Sequence, residues 1–150
     1  VIPLKNALGE HNHLRNSILP SLMKNLKENQ HNEFPQNIFE IGRTFMPDNN
    51  EETNVKENNY LSTLICHEKT DFTEIRQVLD ILMDSLGQEY SVKETKHDSF
   101  IKGRVGTVFV EGTELGFIGE LSPEVLTNWD LTVPVVSFEL DLEKLFELTK

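Results

Sequence analysis

The stretch GRVGTVFVEGTELGFIGELSPEVLTNWDLTVPVVSFELDLEKL, Gly103 to Leu145, decides the fold. Its first half alternates: Val105, Thr107 and Phe109 set one face, Gly106, Val108 and Val110 the other. That pattern predicts a strand over 104–110 with both faces at least partly covered. A second strand follows over 114–120, and Glu111-Gly112-Thr113 closes the pair as a hairpin. Ser122-Pro123-Glu124 then carries a helix-start signature: a capping hydroxyl, proline in the first turn and an acid near the helix N-terminus. This short helix is expected to end near Trp129. A last strand is predicted over 134–142, with a final helix over 143–148.

Working outward, the next clear element lies upstream. Phe72, Ile75, Val78, Leu79, Leu82, Met83 and Leu86 recur at helical spacing. Asp71 and Glu74 have capping-box spacing, and Gly87 stands where a left-handed C-cap residue is expected. The Met-containing stripe reads as core packing. A strand is expected over 89–95. Nearer the N-terminus, Ile18, Leu19, Leu22, Met23 and Leu26 predict another helix, capped by Asn16 or Ser17, with Pro20 in its first turn. Strands are expected over 38–45, where Gly42 marks a bulge or a close approach, and over 60–66. Between them 47–59, PDNNEETNVKENN, reads as an exposed loop. Hairpins and neighbouring strands favour antiparallel pairing, so the class is α+β, a mainly antiparallel sheet flanked by helices. No repeat or composition break divides the 150 residues, which are expected to form one domain.

The formal net charge of −11 disfavours phosphate binding through a broad basic face, and otherwise fits a soluble domain. The single cysteine, Cys66, forms no internal disulfide, which suits a reducing cytoplasm, and its apolar surroundings predict a buried, inert thiol. No apolar run is long enough to span a membrane. The chain begins with Val1, not Met, which is expected of a fragment of a longer chain.

Motifs for independent chemistry are missing. There is no Walker loop and no Gly-x-Gly-x-x-Gly. His11 and His13 are spaced for one strand face, but no cysteine joins them, while His31, His67 and His97 are scattered. His67-Glu68 begins like a zincin motif, but Asp71 stands where the second histidine belongs. No nucleophile elbow marks a serine.

Three segments together carry a resemblance: Leu14 to Phe45, His67 to Gly87 and Gly103 to Leu145, including Phe39-Glu40-Ile41-Gly42 and Phe138-Glu139-Leu140-Asp141-Leu142. Their order and spacing resemble the catalytic-like module of the phenylalanyl-tRNA synthetase β subunit, of archaeal and eukaryotic type. The resemblance implies a degenerate class II aminoacyl-tRNA synthetase fold within an ATP- and magnesium-dependent enzyme. The working site would belong to the α subunit. A second αβ pair would complete the assembly, tRNA would bind the whole complex, and the setting would be cytoplasmic.

The same resemblance places the degenerate ATP positions. Where active members carry a phosphate-binding arginine, this chain has Met46, which supplies no charge-assisted bond. Glu139 and Asp141 stand where glycines would let ATP approach, and Lys144 takes the place of a helix arginine. Each carboxylate about 4 Å from a phosphate charge, at an effective dielectric of about 20, opposes binding by roughly 4 kcal/mol. Magnesium would neutralise such a pair. The two acids are read instead as a solvated strand face or an interface feature. The expected role is a non-catalytic support for the α subunit. The alternative is small-molecule binding, of an amino acid or nucleotide, or a stand-alone synthetase-like enzyme. It requires Arg15, Arg43, Arg104 and Lys144 to converge on one cavity.

Overall fold

The computed structural model describes residues 1–5, 7 and 12–150. Strands β1 (Ile2–Pro3) and β2 (His13–Leu14) pair as a small antiparallel ladder that the sequence pattern does not announce. Helix α1 (Leu19–Glu28) leads to β3 (Gln36–Pro47) and β4 (Val55–Cys66), and α2 (Phe72–Ser85) follows. Next come β5 (Ser91–Glu94), β6 (Phe100–Val110), β7 (Thr113–Leu121), α3 (Pro123–Asn128), β8 (Val135–Asp141) and α4 (Leu142–Leu148).

The main sheet has the order β3-β4-β8-β7-β6-β5 and every pairing is antiparallel. The expected α+β class therefore holds. Helices cover both faces. Ile75, Leu79 and Met83 of α2 and Leu145 of α4 pack with Ile65, Val108, Ile118, Val136, Phe138 and Leu140. On the opposite face Ile18, Leu22, Met23 and Leu26 pack with Leu64, Cys66, Val105 and Val135. Leu64 and Ile65 enter different clusters because consecutive strand residues point to opposite faces.

Two strands run further than their side chains suggest. The ladder between β3 and β4 continues without a break to Pro47↔Val55, so the polar residues Lys56 to Asn59 are paired strand. Ladder bonds come from the backbone and need no apolar side chain beyond the core. The turn is left to 48–54, a shorter segment than the expected 47–59 loop. Gly42 lies in unbroken register opposite Tyr60 and makes no bulge. It is a close-approach point, because an added Cβ would collide with the Arg15 guanidinium.

Helix α2 matches its sequence signals. The Asp71 side chain accepts from the Glu74 N–H, and Gly87 has φ +65°. The reciprocal half of the box is not made. Glu74 instead accepts from the Thr70 hydroxyl at 2.7 Å and contacts His67 Nε2 at 2.6 Å. No atom lies within 4 Å of a Cβ built on Gly87, so its requirement is purely conformational. Gly87→Val is expected to cost about 1–2 kcal/mol from the left-handed backbone alone. Urea titration checks it, and an unchanged midpoint would contradict the cap assignment.

Candidate pseudo-active site

Strand β8 reads Val-Val-Ser-Phe-Glu-Leu-Asp, an apolar strand interrupted by two acids. Alternation sends Val136, Phe138 and Leu140 into the core under α2 and α4. Ser137, Glu139 and Asp141 project to the face on which α1 lies. The two acids were expected on a solvated strand face or at an interface, and the structure corrects the solvated reading. Glu139 is 2% exposed and Asp141 1%. A carboxylate so far from water persists only with close donors.

Those donors come from the start of α1. The Ile18 N–H donates to Glu139 Oε1 at 3.0 Å and the Leu19 N–H to Oε2 at 3.1 Å. The Ser17 hydroxyl donates to the same Oε2 at 3.0 Å. Neither Asn16 nor Ser17 caps the helix with its own side chain; the N-cap residue is Ile18, which has no capping oxygen. A strand residue more than a hundred positions away thus satisfies helix donors that local sequence leaves open. Burial raises the Glu139 carboxyl above its ordinary range, and bonds from Ile18, Ser17, Leu19 and Ser62 pull against that rise. Ser62 faces Glu139 across the ladder and is fully buried. The Ser137 Oγ, on the same face, has no hydrogen-bond partner.

Asp141 does a similar task at α4. Its Oδ1 accepts from the Lys144 N–H at 3.1 Å and its Oδ2 from Asn58 Nδ2 at 2.9 Å. Tyr60 is its register partner, and burial followed by the charge of Asp141 pushes the phenol up to about 12. Glu143 accepts from the Asn59 side-chain amide at 2.9 Å, which ties α4 to the far end of β4.

The four cations do not converge. Arg15 donates from Nε to the Arg43 carbonyl at 2.8 Å and pairs with Glu40 at 2.7 Å. The Arg43 side chain leaves the opposite face of β3 and meets Glu57 at 3.2 Å. Arg104 pairs with Glu120 at 2.8 Å, at the other side of the sheet. Lys144 reaches the Glu114 carbonyl at 3.4 Å and lines an open cavity of about 570 Å³. Glu51, Glu57, Glu143 and Glu147 outnumber Lys144 and Lys56 there, so that cavity is acidic on balance. Met46, on β3, is exposed. A triphosphate approaching the start of α1 would meet a carboxylate already holding the backbone donors, and no assembled cations. The residues present do not fit it.

Cys66 is fully buried, and burial pushes its thiol up to about 11, as suits an inert core residue. His13 lies on β2, and His11 falls outside the described residues. Among the described residues no group of three His, Cys, Asp or Glu is placed to hold a metal ion. Among the described residues no helix is long and apolar enough to cross a membrane.

An antiparallel six-stranded sheet with helices on both faces, whose central acids hold helix starts, defines an α+β module built around a closed polar centre. The family model described as the phenylalanyl tRNA synthetase beta chain CLM domain matches residues 1–142, and the chain belongs to that family. The phenylalanine–tRNA ligase beta subunit of Thermococcus onnurineus is 46% identical over 133 residues, 89% of this chain and 23% of that protein. The Thermococcus sibiricus beta subunit is 39% identical over 148 residues, 98% of this chain and 26% of its own length. The Methanocaldococcus jannaschii beta subunit is 43% identical over 140 residues, 93% and 26% respectively. The chain therefore spans about a quarter of the length of these relatives.

Proposed function

We propose that this chain is a non-catalytic structural module of a phenylalanine–tRNA ligase β subunit. It supports an α subunit that joins phenylalanine to its tRNA with ATP and magnesium, within a cytoplasmic assembly of two αβ pairs that binds tRNA as a whole. The family membership supports this reading, and one observation of the structure carries its non-catalytic part. Glu139, at a position the family resemblance assigns to the nucleotide, holds the start of α1 instead. In this reading the sheet is a class II synthetase-like fold, 1–150 is one domain, and Met46, Asp141 and Lys144 are the other remnants of the ATP site. A rigid sheet of this kind preorganises a partner's site by presenting a fixed surface to it. No observation favours separate small-molecule binding, because Arg15, Arg43, Arg104 and Lys144 are each engaged apart from the others.

Partner capture tests the proposal. The chain is mixed with the phenylalanyl-tRNA synthetase α subunit of its own source, and the complex mass is read by light scattering after size exclusion. A stable complex that a full-length β subunit competes away is the expected result. Failure to associate at tens of micromolar, or a chain that charges tRNA with phenylalanine alone, would overturn it.

A further inference from the structure

The two edges of the main sheet are built differently. Strand β5, at one edge, is four residues long and carries Lys93 and Glu94, a short and charged form that resists strand addition. Strand β3, at the other edge, runs for twelve residues and exposes Phe39 at 70% and Ile41 at 59%. Their register partners Thr63 and Leu61 place both on the face that carries α2 and α4, but those helices lie over β4, β7 and β8. The backbone of β3 is open as well. The Phe45 N–H donates to the Arg15 carbonyl, and the Arg43 carbonyl accepts from Arg15 Nε, so the odd-numbered residues turn their polar groups away from β4. Alternation along the unbroken ladder sends the N–H and C=O groups of Asn37, Phe39 and Ile41 the same way. Arg15 closes the edge at 43–45, and among the described residues nothing bonds the outward backbone at 37, 39 or 41. Next to Asn37 lies a cavity of about 470 Å³, walled by Phe34 and holding Glu68, Glu74 and Lys69. Glu74 gives Oε2 to the Thr70 hydroxyl and to His67, which leaves Oε1 open. Glu68 forms no ion pair among the described residues.

We propose that the open half of β3 is a docking edge for an extended protein segment, one with apolar residues at alternate positions and an arginine or lysine beyond them. Such a segment adds a strand to the sheet. Its main chain bonds the free groups of Asn37, Phe39 and Ile41, and its side chains supply the choice of partner. Residues directly opposite in an antiparallel pair stand on one face, so apolar side chains opposite Phe39 and Ile41 cover them. The residue opposite Asn37 then lies over the cavity, where Phe34 offers an apolar wall and Glu68 and Glu74 outnumber Lys69. Charge decides between occupants. A second copy would bring another net −11 to the same edge, whereas a cationic segment is attracted to it. The inference rests on the edge geometry and not on the subunit reading, and a synthetic peptide tests it with no α subunit present.

The peptide Val-Thr-Val-Thr-Arg, acetylated and amidated, is titrated into the isotope-labelled chain, and backbone amide shifts are followed by NMR. Placed antiparallel, its valines face Ile41 and Phe39 and its arginine faces Asn37. The expected result is a saturable shift centred on the amides of Asn37, Phe39 and Ile41, with a Kd of about 0.1 mM. N-methylation of both valines removes N–H groups that point at β3 and is expected to abolish the shifts. N-methylation of the threonines, whose N–H groups point away, is expected to preserve them. Glutamate in place of the peptide's arginine is expected to weaken binding about tenfold, and so is Phe39→Thr combined with Ile41→Thr, which alters exposed side chains and keeps strand propensity. No saturable shift, shifts centred away from β3, or equal binding of the valine-methylated peptide would overturn the proposal. A concentration-dependent dimer of the chain alone that protects the Phe39 amide would overturn it too, because the edge would then belong to a second copy.

Discussion

Glu139→Ala is expected to lower stability by about 3–5 kcal/mol, a fall in thermal midpoint of roughly 10–15 °C for a chain this size. The substitution strands three donors at once: the Ile18 and Leu19 N–H groups and the Ser17 hydroxyl. Both backbone donors belong to buried residues, Ile18 at 0% and Leu19 at 6% exposure, so water does not replace the lost partner freely. Relief from holding a carboxylate in a dry interior offsets part of this loss. Glu139→Gln keeps the volume and one carbonyl acceptor, and its cost is expected to be smaller. Because burial raises the folded-state pKa of Glu139, the native fold binds its proton more tightly than the unfolded chain does. The stability linked to that proton is complete below about 4.5, the ordinary value, and is lost as pH rises through the folded value. The gap between the native chain and Glu139→Gln should therefore be widest in acid and narrow as pH increases. Urea midpoints at a series of pH values measure it. A gap that widens with pH would show that the hydrogen bonds outweigh burial at this group.

The elements whose signals are local were legible. Asp71 and Gly87 bound α2, Ser122 and Pro123 open α3, and Glu111-Gly112 turns the β6–β7 hairpin with φ +49° and +77°. What escaped depends on contacts far apart in the chain. The cap of α1 comes from β8, and nothing near Ile18 says so. Asn16 and Ser17 offered nearer caps, and only the acids inside the largely apolar β8 hinted at a distant one. The ends of β3 and β4 escaped because backbone pairing carries them past the last apolar residue. The small ladder of β1 and β2 is two residues a side, too short for any periodicity.

The acidity of the chain gains a structural meaning from this pattern. Glu120 on β7 accepts from the Phe72 N–H, the first residue of α2, at 2.9 Å, and holds Arg104 with its other oxygen. Asp141 closes the start of α4, and Glu139 closes that of α1. Three sheet carboxylates thus face three helix starts, where the helix dipole and open N–H groups favour negative charge. The same acids that would repel a nucleotide fix helices to the sheet.

Gly116→Ala tests how tightly that arrangement is built. A Cβ on Gly116 would collide with the Glu139 carbonyl oxygen, and would lie 2.9 Å from its carbonyl carbon and 3.2 Å from Leu140 Cα. All three are backbone atoms of β8, so no side-chain rotation relieves the contact. Gly116 pairs with Leu140 in the β7–β8 ladder, and the strands must part locally to admit a methyl group. Replacing glycine by alanine ordinarily stabilises by about 0.4–1 kcal/mol through the unfolded chain, and that gain opposes the clash here. Overpacking against backbone is expected to dominate, with a net loss of about 3 kcal/mol. The displacement falls on the residue that holds α1, so hydrogen exchange at the Ile18 and Leu19 amides should accelerate more than at Leu79 in α2. A midpoint unchanged or raised would mean that β7 and β8 yield to each other easily. Loss of stability with uniform exchange at Ile18, Leu19 and Leu79 would mean that the Glu139 side chain keeps its grip on α1 while its own backbone moves.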